Sequence, residues 1–370
     1  MVRILFLIHD LGHGGAEKVL VNLVNNMDPS KFDITVMALF GGGVNEQFLK
    51  PHIHYRTVFK KVFPGNSHVM KLLTPRQLHK WFIKDRYDIE VAYLEGPSAR
   101  IASGCTDSST KLVSWIHIEQ KTKERAAASF RSYKEAVACY RRFNRTVCVS
   151  NTVRQDFLNL IPLDKPADIL YNTNESAQIV LLSKAAVQEG TFSGNEIKLV
   201  GVGKILPNKG FDRLARIHKR LRDDGYPIHT YILGVGPQQG EIEQYLQENG
   251  LIDSYTFLGY HTNPYKYVAK CDLFVCASHS EGFSTAATEA LIVGTPVCTV
   301  EVSGMKEMLG EHNEWGIVTE NDEEALYQGI KRLLDDPALL AHYKEKAAQR
   351  GKTFSTENTV KAVEDMLLSL

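Results

Sequence analysis

The chain has 370 residues, of which 44% are hydrophobic and 23% are charged. This composition is typical of a soluble globular enzyme. Its formal net charge is zero, and the absence of a full basic stripe disfavours a nucleic-acid-binding protein. The charge is nevertheless uneven, because residues 1–182 hold 24 Lys and Arg against 17 Asp and Glu, whereas the remainder holds 19 against 26.

Membrane insertion and disulfide bonding are also disfavoured. The apolar start of the chain is too short for a signal peptide, and no segment approaches the ~18 apolar residues of a membrane-spanning helix. The six cysteines form no C-x-x-C motif and no metal-like pairing with histidines, which indicates a reducing compartment. We therefore expect a cytoplasmic protein, at most peripheral to the inner face of the plasma membrane.

Short β-branched runs alternate with amphipathic segments in the first half of the chain. The predicted helices lie at 15–27, 75–84, 121–140 and 151–160. The predicted strands are "RILFLI", "DITVMAL", "IEVAYL", "KLVSWIH", "RTVCVS" and "DILYN". Strands that are apolar throughout, rather than alternating, are typical of parallel sheets covered by helices on both faces.

The second half repeats this pattern after a predicted linker at 173–196. Its predicted strands are "IKLVGVG", "HTYILGVG", "YTFLGY", "DLFVCAS" and "TPVCTV". Its predicted helices lie near 210–222, 238–249, 263–270, 284–293, 322–335 and 337–350. We predict an α/β protein with two Rossmann-like, doubly wound parallel sheets. Ligands of such sheets bind beyond the carboxyl ends of the strands, so a central cleft between two domains is the expected site.

The stretch "EGFSTAATEA" at 281–290 follows a predicted strand and begins a helix. The free N–H groups of the first helical turn, with the positive end of the helix dipole, suit a diphosphate. Glu281 and Glu289 flank this anion site, and a carboxylate accepts hydrogen bonds from two hydroxyls. A nucleoside diphosphate sugar carries hydroxyl pairs on both sides of its diphosphate. The alternative is that Glu281 caps the helix and Glu289 is solvated.

The stretch "VGVGKILPNKGFDRL" at 200–214 also follows a strand. Lys204 leaves the strand end, and Lys209 opens the next helix. Their two ammonium groups could face a diphosphate leaving group, for which one such charge contributes about 10²–10³-fold in rate. The alternative is that both lysines are solvated loop residues.

A glycine-rich loop follows the first strand, in "IHDLGHGGAEKVLVNLVNNM" at 8–27. Tandem glycines before a helix, Gly14 and Gly15, allow a backbone or a ligand to approach closely. The spacing departs from the dinucleotide fingerprint G-x-G-x-x-G, and the second strand ends in "ALFGGG" without an acidic residue for a ribose. The pattern therefore disfavours an NAD-binding protein.

Two further positions lie where a binding site is expected. His117 ends the strand "KLVSWIH", although a histidine there is often a core or cap residue. The segment "FLGYHTNPYKYV" at 257–268 could frame a nucleotide base with Gly259, Tyr260 and His261, although an aromatic side chain there packs as readily as it stacks.

Taken together, these stretches resemble the retaining glycosyltransferases of family 4, which have the GT-B fold. "SEGFSTAATEALIVGTPV" resembles the family's E-x₇-E region, and "VGKILPNKGFDRL" its GR-x₃-KG-x-D segment. "GHGGAEKVLVNL" resembles the N-terminal glycine loop, and "ILYNTNE" stands where the family often has PNG-x-D. The resemblance covers nearly the whole chain in the family's order and spacing.

The resemblance implies a domain organisation and a ligand for each domain. Residues 1–175 would form an acceptor-binding domain and 176–355 a donor-binding domain. Residues 356–370 would form a helix that crosses back to the first domain. The co-substrate would be a nucleotide diphosphate sugar, with a UDP-sugar as the expected donor, and no cofactor and no metal would be required.

The resemblance also implies roles for individual residues. Glu281 would hold hydroxyls of the donor sugar, Glu289 the ribose, and Lys204 and Lys209 the leaving diphosphate. His117 would touch the donor sugar near the acceptor. The remaining donor contacts would come from Gly14, Gly15, Gly282, Phe283, Ser284, Thr285 and Ala286. The chain differs from the family pattern at two places. Lys204 replaces the family's usual Arg, and "YNTNE" replaces PNG-x-D, which leaves the role of Asn172 open.

The expected reaction is transfer of a hexose or N-acetylhexosamine, with retention, to a glycan or lipid-linked saccharide of a surface polysaccharide or glycoconjugate. No carboxylate nucleophile for double displacement is identifiable, so a front-face route is favoured, in which the protein supplies positioning and charge stabilisation. A sugar-nucleotide epimerase of the same fold and a non-catalytic accessory subunit are the alternatives.

Basic residues interleaved with aromatic ones lie at 121–145 and 56–86. This pattern is compatible with anionic lipid headgroups or a polyprenyl diphosphate acceptor. It is equally compatible with a solvated helix face.

Overall fold

A computed structural model describes residues 1–12, 14–63, 70–192, 194 and 196–370. It divides the chain into two units of similar size. The N-terminal unit comprises Met1–Asn174 and Thr356–Leu370, and the C-terminal unit comprises Glu175–Ser355. Each unit contains one parallel sheet, of seven and six strands respectively.

The sheet of the N-terminal unit has the strand order β3-β2-β1-β4-β5-β6-β7. All of its paired strands run parallel; Ile4, for example, lies opposite Ile34 on one side and Ile89 on the other. Its strands are β1 Val2–Ile8, β2 Phe32–Phe40, β3 His54–Phe59, β4 Ile89–Ala92, β5 Lys111–Ile116, β6 Arg145–Cys148 and β7 Ala167–Ile169.

The helices of this unit are short, and several start at a side-chain cap. They are α1 Gly15–Asn26, α2 Pro75–Phe82, α3 Pro97–Ala102, α4 Lys123–Ala126, α5 Tyr133–Tyr140 and α6 Asn151–Leu160. The C-terminal helix Thr356–Leu368, α15, also belongs to this unit. The Glu364 carboxylate in α15 accepts the Asp28 N–H at 2.7 Å, and the Thr356 hydroxyl donates to the Asn174 carbonyl at 2.7 Å.

The sheet of the C-terminal unit has the order β10-β9-β8-β11-β12-β13 and is parallel throughout. Its strands are β8 Ile197–Val202, β9 Ile228–Leu233, β10 Tyr255–Gly259, β11 Leu273–Cys276, β12 Val297–Val300 and β13 Ile317–Thr319. Its helices are α7 Ser176–Ser183, α8 Phe211–Asp223, α9 Gln239–Glu248, α10 Tyr265–Val268, α11 Thr285–Ile292, α12 Met305–Leu309, α13 Glu323–Asp335 and α14 Pro337–Gly351.

These two sheets confirm the predicted fold class of two Rossmann-like, parallel-sheet domains. The central strands are buried on both faces, as their continuous apolar runs predict; for example, all six residues of β9 are buried. The described residues include no helix with the length and hydropathy needed to cross a bilayer.

Some predicted elements differ from those observed. The helix predicted at 121–140 is two helices. Lys121, with a left-handed φ of 62°, lies before the first helix, and the Ser132 hydroxyl starts the second by accepting the Glu135 N–H. The helix predicted at 263–270 is limited to Tyr265–Val268, and the segment predicted as a linker contains α7.

Candidate functional site

The two predicted phosphate-binding stretches lie side by side at the carboxyl edge of the C-terminal sheet. Strand β8 pairs with β9 on one side and β11 on the other, so the chain leaves β8 and β11 at the point where the strand order reverses. Ligands of doubly wound sheets bind at this switch point. The loop after β8 carries Lys204 and Lys209, and the loop after β11 carries Glu281. The topology therefore brings three of the predicted site residues to one place.

Lys209 and Glu281 are in direct contact. The Lys209 ammonium lies 2.6 Å from the Glu281 Oε1, and the Ser278 hydroxyl donates to the same oxygen at 2.7 Å. Both charged side chains are partly buried, at 27% and 12% exposure. By contrast, Lys204 is exposed, and its side chain forms no hydrogen bond or ion pair within the described part of the chain. Lys209 is therefore the lysine that the structure holds in a defined position.

Backbone contacts join the two loops closely. The His279 N–H donates to the Asn208 carbonyl at 2.8 Å. Gly210 has a left-handed φ of 64°, and a Cβ atom there would lie 2.0 Å from the Ala277 carbonyl oxygen. Only glycine fits such a close approach in this backbone conformation. Gly210 therefore allows Lys209 to approach the loop that carries Glu281.

A buried arginine stabilises the loop after β11. Arg213, in the first turn of α8, is 3% exposed. Its guanidinium donates to the Ala277 carbonyl, to the Ser278 carbonyl at 3.3 Å and to the Asn321 side-chain oxygen at 3.0 Å. A planar guanidinium can satisfy several acceptors at fixed angles. It therefore fixes the segment from which the Ser278 hydroxyl reaches Glu281.

The first turn of α11 presents free amide groups. The Ser284 hydroxyl caps this helix by accepting the Ala287 N–H at 3.3 Å. Among the residues that the structure describes, the N–H groups of Thr285 and Ala286 have no partner. These two donors, together with the positive end of the helix dipole, are the groups that the sequence analysis expects to bind an anion.

Gly282 and Phe283 precede this turn. Gly282 is partly exposed, whereas the Phe283 side chain is buried and packs against the Phe354 ring at a centroid distance of 5.9 Å. The Phe283 side chain therefore belongs to the core of the C-terminal unit, and only its backbone is available to a donor.

Glu289 lies in the second turn of α11 and is 8% exposed. The Tyr265 hydroxyl donates to its Oε1 at 3.3 Å. Because Glu289 is buried, the alternative that it is a solvated helical residue is wrong. Burial and the Tyr265 hydroxyl therefore hold the Glu289 carboxylate in one orientation. A carboxylate that accepts hydrogen bonds from particular ligand hydroxyls needs such a fixed orientation.

The segment predicted to frame a base follows β10. Gly259 ends that strand with a φ of 77°, and its carbonyl accepts the Gly234 N–H at 2.8 Å. The Tyr260 side chain is 65% exposed, and the His261 ring packs against Tyr267 at 4.6 Å. Tyr260 therefore offers a solvent-facing aromatic surface, whereas His261 is partly engaged in packing.

In the N-terminal unit, the glycine-rich loop lies at the corresponding switch point, between β1 and β4. The Asp10 carboxylate accepts the Gly12 N–H at 2.7 Å, which fixes the start of the loop. Gly14 caps α1 in an extended conformation, and Gly15, its first residue, is exposed. A Cβ atom at Gly14 would lie 1.8 Å from a Glu17 carboxylate oxygen. The Glu17 carboxylate therefore lies directly against Gly14 at the start of α1.

His117 follows β5 in the same unit. Burial lowers the pKa of its imidazole to about 3, so the ring is neutral at physiological pH. Its Nε2 is enclosed and has no hydrogen-bond partner in the described ranges. The ring packs against Tyr93 at a centroid distance of 4.8 Å, and the His117 N–H donates to the Glu95 carboxylate at 3.0 Å. A buried ring nitrogen without a partner is uncommon in proteins, and it marks His117 as a candidate ligand contact.

Four residues that the sequence analysis did not select now form part of these two sites. Glu95, which follows β4, accepts the His117 N–H and a Gln120 side-chain N–H at 3.3 Å, and burial raises its pKa. The others are Ser278, Arg213 and Tyr265. The signal available in the sequence was weak, because each is a single polar residue whose partners lie 3–108 positions away along the chain.

Two family models match the chain over nearly its whole length. The model described as "Glycosyltransferase Family 4" matches residues 13–173, and the model described as "Glycosyl transferases group 1" matches residues 184–350. Among curated proteins, the chain is 28% identical to N-acetylgalactosamine-N,N'-diacetylbacillosaminyl-diphospho-undecaprenol 4-alpha-N-acetylgalactosaminyltransferase of Campylobacter jejuni, with 99% of each chain covered. It is 23% identical to the lipopolysaccharide core biosynthesis glycosyltransferase LpsD of Rhizobium meliloti, covering 98% of this chain and 96% of the relative.

A solved structure shares the same fold. The crystal structure of HepE from Anabaena in complex with UDP superposes with a TM-score of 0.78 at 20% identity and covers 100% of both chains. The family models, the full-length relatives and the paired parallel sheets agree with one another. The chain is a member of the family 4 glycosyltransferases and has the GT-B fold.

Proposed function

We propose that this enzyme transfers a hexose or N-acetylhexosamine from a UDP-sugar, with retention of configuration, to a lipid-linked saccharide in the synthesis of a surface polysaccharide or glycoconjugate. The observation that carries this proposal is the Lys209–Glu281 contact beside the free amides of α11. It combines a cation, two N–H donors and a carboxylate at the carboxyl edge of one sheet. These are the groups that a diphosphate and a neighbouring sugar would need.

UDP as the nucleotide is supported by similar structures. HepE of Anabaena is described in complexes with UDP and with UDP-glucose. In this chain, we propose that Lys209 and the amides of Thr285 and Ala286 bind the diphosphate, whereas Glu281 accepts hydroxyls of the sugar. Glu289, oriented by Tyr265, would accept the ribose hydroxyls. Gly259 and Tyr260 would then flank the base.

The acceptor class is supported by the full-length relatives. The Campylobacter jejuni relative is named for a diphospho-undecaprenol-linked saccharide and the Rhizobium meliloti relative for lipopolysaccharide core biosynthesis. We propose that the N-terminal unit receives an acceptor of this kind. His117 would donate or accept one hydrogen bond through its enclosed Nε2, as a neutral ring.

Retention of the anomeric configuration and independence of a metal are proposed from the chemistry of these same groups. The Campylobacter jejuni relative is named for an α linkage, and an α-linked product from an α-linked nucleotide sugar is a retained configuration. Lys209 and the α11 amides would supply the positive charge that stabilises the departing diphosphate. The departing diphosphate would accept the proton of the acceptor hydroxyl on the same face of the sugar, so no carboxylate nucleophile is needed.

The test is turnover over a panel of UDP-, GDP- and ADP-sugars, with a short-chain polyprenyl diphosphate saccharide as acceptor and a chelator present. We expect UDP release that depends on the acceptor and an NMR spectrum that shows a retained anomeric configuration. An inverted linkage would exclude the front-face route. Release of a free epimerised sugar would instead indicate an epimerase, and tight UDP binding without turnover would indicate an accessory subunit.

Peripheral association with an anionic membrane is the second part of the proposal, and helix α2 supports it. The exposed basic side chains Arg76, Lys80 and Lys84 lie on or next to α2 and form no ion pair within the described residues. Trp81 in the same helix is 56% exposed, and Leu72 before it is 77% exposed. Exposed aromatic and apolar side chains among basic ones suit the headgroup region of a membrane.

We expect the enzyme to sediment with vesicles of phosphatidylcholine and phosphatidylglycerol, but weakly with phosphatidylcholine alone. Each basic residue near an anionic surface contributes about 1 kcal/mol, so removing both charges in Lys80→Ala/Lys84→Ala is expected to weaken binding about 25-fold. The control variant is Lys270→Ala/Lys344→Ala, which removes two exposed lysines of the C-terminal unit. Equal partitioning onto both types of vesicle would contradict this part of the proposal.

A further inference from the structure

Three residues with different metal-binding groups converge in the N-terminal unit, apart from the residues assigned to transfer. They are His79 near the end of α2, Glu90 in β4 and Cys105 in the turn after α3. Their ligand atoms all lie within 4.8 Å of one another, and within the described ranges this is the one group of its kind. The His79 Nε2 lies 3.0 Å from both Glu90 carboxylate oxygens.

Each of the three residues is held by rigid surroundings. Glu90 is 2% exposed and lies in a strand that pairs with β1 and β5. Cys105 is 3% exposed, and its N–H donates to the Ala102 carbonyl at 3.0 Å. A Cβ atom at the preceding Gly104 would lie 2.0 Å from the Pro75 carbonyl, so the cysteine turn packs directly against the start of α2. The convergence is therefore a property of the fold and not of mobile surface side chains.

We propose that His79, Glu90 and Cys105 bind a divalent transition-metal ion of the zinc class, with one coordination position left open. Imidazole, carboxylate and thiolate are all ligands that Zn²⁺ accepts. A tetrahedral zinc would place its ligand atoms about 3.3–3.7 Å apart, so the observed spacing requires side-chain shifts of about 1 Å. Binding releases to solvent the thiol proton of Cys105 and the imidazolium proton of His79 from its ion pair with Glu90, because a thiolate and a neutral imidazole are the ligands.

Of the three ligands, His79 also lines a pocket of about 370 Å³, together with Ile83, Gly104, Thr106 and three basic side chains, Arg76, Lys80 and Lys84. The open coordination position of the proposed ion would be on the side of this pocket. Zn²⁺ with one carboxylate and one thiolate is electrically neutral, so the ligands offset the repulsion between the ion and these cations. Water or a small anion from the pocket would complete the coordination. Without the two anionic ligands, the basic lining would disfavour any cation.

The proposed metal site does not overlap with the residues assigned to sugar transfer. Glu90 lies opposite Leu5 of β1, three residues before the end of that strand at Ile8. At ~3.3 Å per residue, this is roughly 10 Å below the carboxyl edge of the sheet, where the glycine-rich loop begins. We assign the ion to stabilisation of the α2–β4–α3 region. The predicted absence of a metal concerns the transfer reaction, in which this ion would take no part.

The test is equilibrium dialysis of the chelator-treated full chain against Zn²⁺, with the bound metal measured by mass spectrometry. We expect one saturable Zn²⁺ per chain and an affinity at least about tenfold lower in Cys105→Ser and in His79→Gln. The controls are Cys139→Ser and His52→Gln, which alter the same residue types in the same unit and are expected to bind normally. Circular dichroism of each metal-free variant checks that it is folded.

Co²⁺ gives an independent readout of the ligands. If the site is correct, the Co²⁺ complex shows a thiolate-to-cobalt charge-transfer band that Cys105→Ser lacks. The absence of saturable Zn²⁺ binding, or equal affinity in the ligand variants and the controls, would overturn the proposal and leave His79 and Glu90 as a structural ion pair.

Discussion

Replacing Lys209 by alanine is expected to lower kcat/KM by about 10²–10³-fold, or roughly 3–4 kcal/mol of transition-state stabilisation. The reason is that Lys209 is the lysine which the loop after β11 holds in place, with its ammonium 2.6 Å from Glu281. Charge accumulates on the diphosphate as the glycosidic bond breaks, and a fixed cation stabilises that charge. The measurement is steady-state turnover of the UDP-sugar, together with UDP affinity by calorimetry.

UDP affinity should fall in the same variant by roughly ten- to a hundredfold, because a hydrogen bond to a charged group contributes about 1.5–3 kcal/mol. Lys209→Arg should restore part of the activity, since the charge is kept while its geometry changes. The matched control is Lys270→Ala, an exposed lysine of the same unit. Full activity of Lys209→Ala would remove this residue from the proposed mechanism.

Replacing Glu281 by glutamine is expected to lower kcat by about 10²–10³-fold without weakening UDP binding. Glu281 is proposed to accept sugar hydroxyls, and its Oε1 already receives the Lys209 ammonium and the Ser278 hydroxyl. Removing the negative charge loses the sugar contact and frees Lys209 for the diphosphate. UDP should therefore bind as tightly as in the wild-type enzyme, or more tightly.

The two substitutions are informative together because both reduce turnover, whereas only Lys209→Ala is expected to weaken UDP binding. A matched control for Glu281→Gln is Glu311→Gln, which replaces an exposed acidic residue elsewhere in the same unit. If Glu281→Gln loses UDP affinity as strongly as Lys209→Ala does, then the carboxylate acts mainly by holding the lysine, and its proposed role in sugar recognition is wrong.

The fold class was predictable because its signal is repeated along the chain. Continuous apolar strands, helix caps and glycine turns recur in the same order in both halves, and each supports the others. The bounds of α6, Asn151–Leu160, agree with the prediction. Strand β3, His54–Phe59, was not predicted, because an edge strand with largely exposed side chains lacks the apolar run that identifies the central strands.

Some residues of the candidate site were likewise predictable from the sequence, and others were not. Lys209 and Glu281 were identifiable, because each directly follows a strand and borders a glycine turn or a helix start. Their contact was not predictable, since it depends on β8 and β11 being neighbours, which the order of strands along the chain does not reveal. Tyr265 and Glu95 were missed for the same reason, since the partner of each lies on another element. Ser278 was missed because a single serine in a loop carries no distinctive pattern.

The diphosphate is expected to bind between the α11 amides and the Lys209 ammonium. A crystal structure of the enzyme with UDP tests it most directly. We predict that the β-phosphate lies within ion-pair distance of the Lys209 Nζ and accepts the Thr285 N–H, with the ribose hydroxyls on Glu289. Phosphates bound away from both Lys209 and Thr285 would contradict this account of the site.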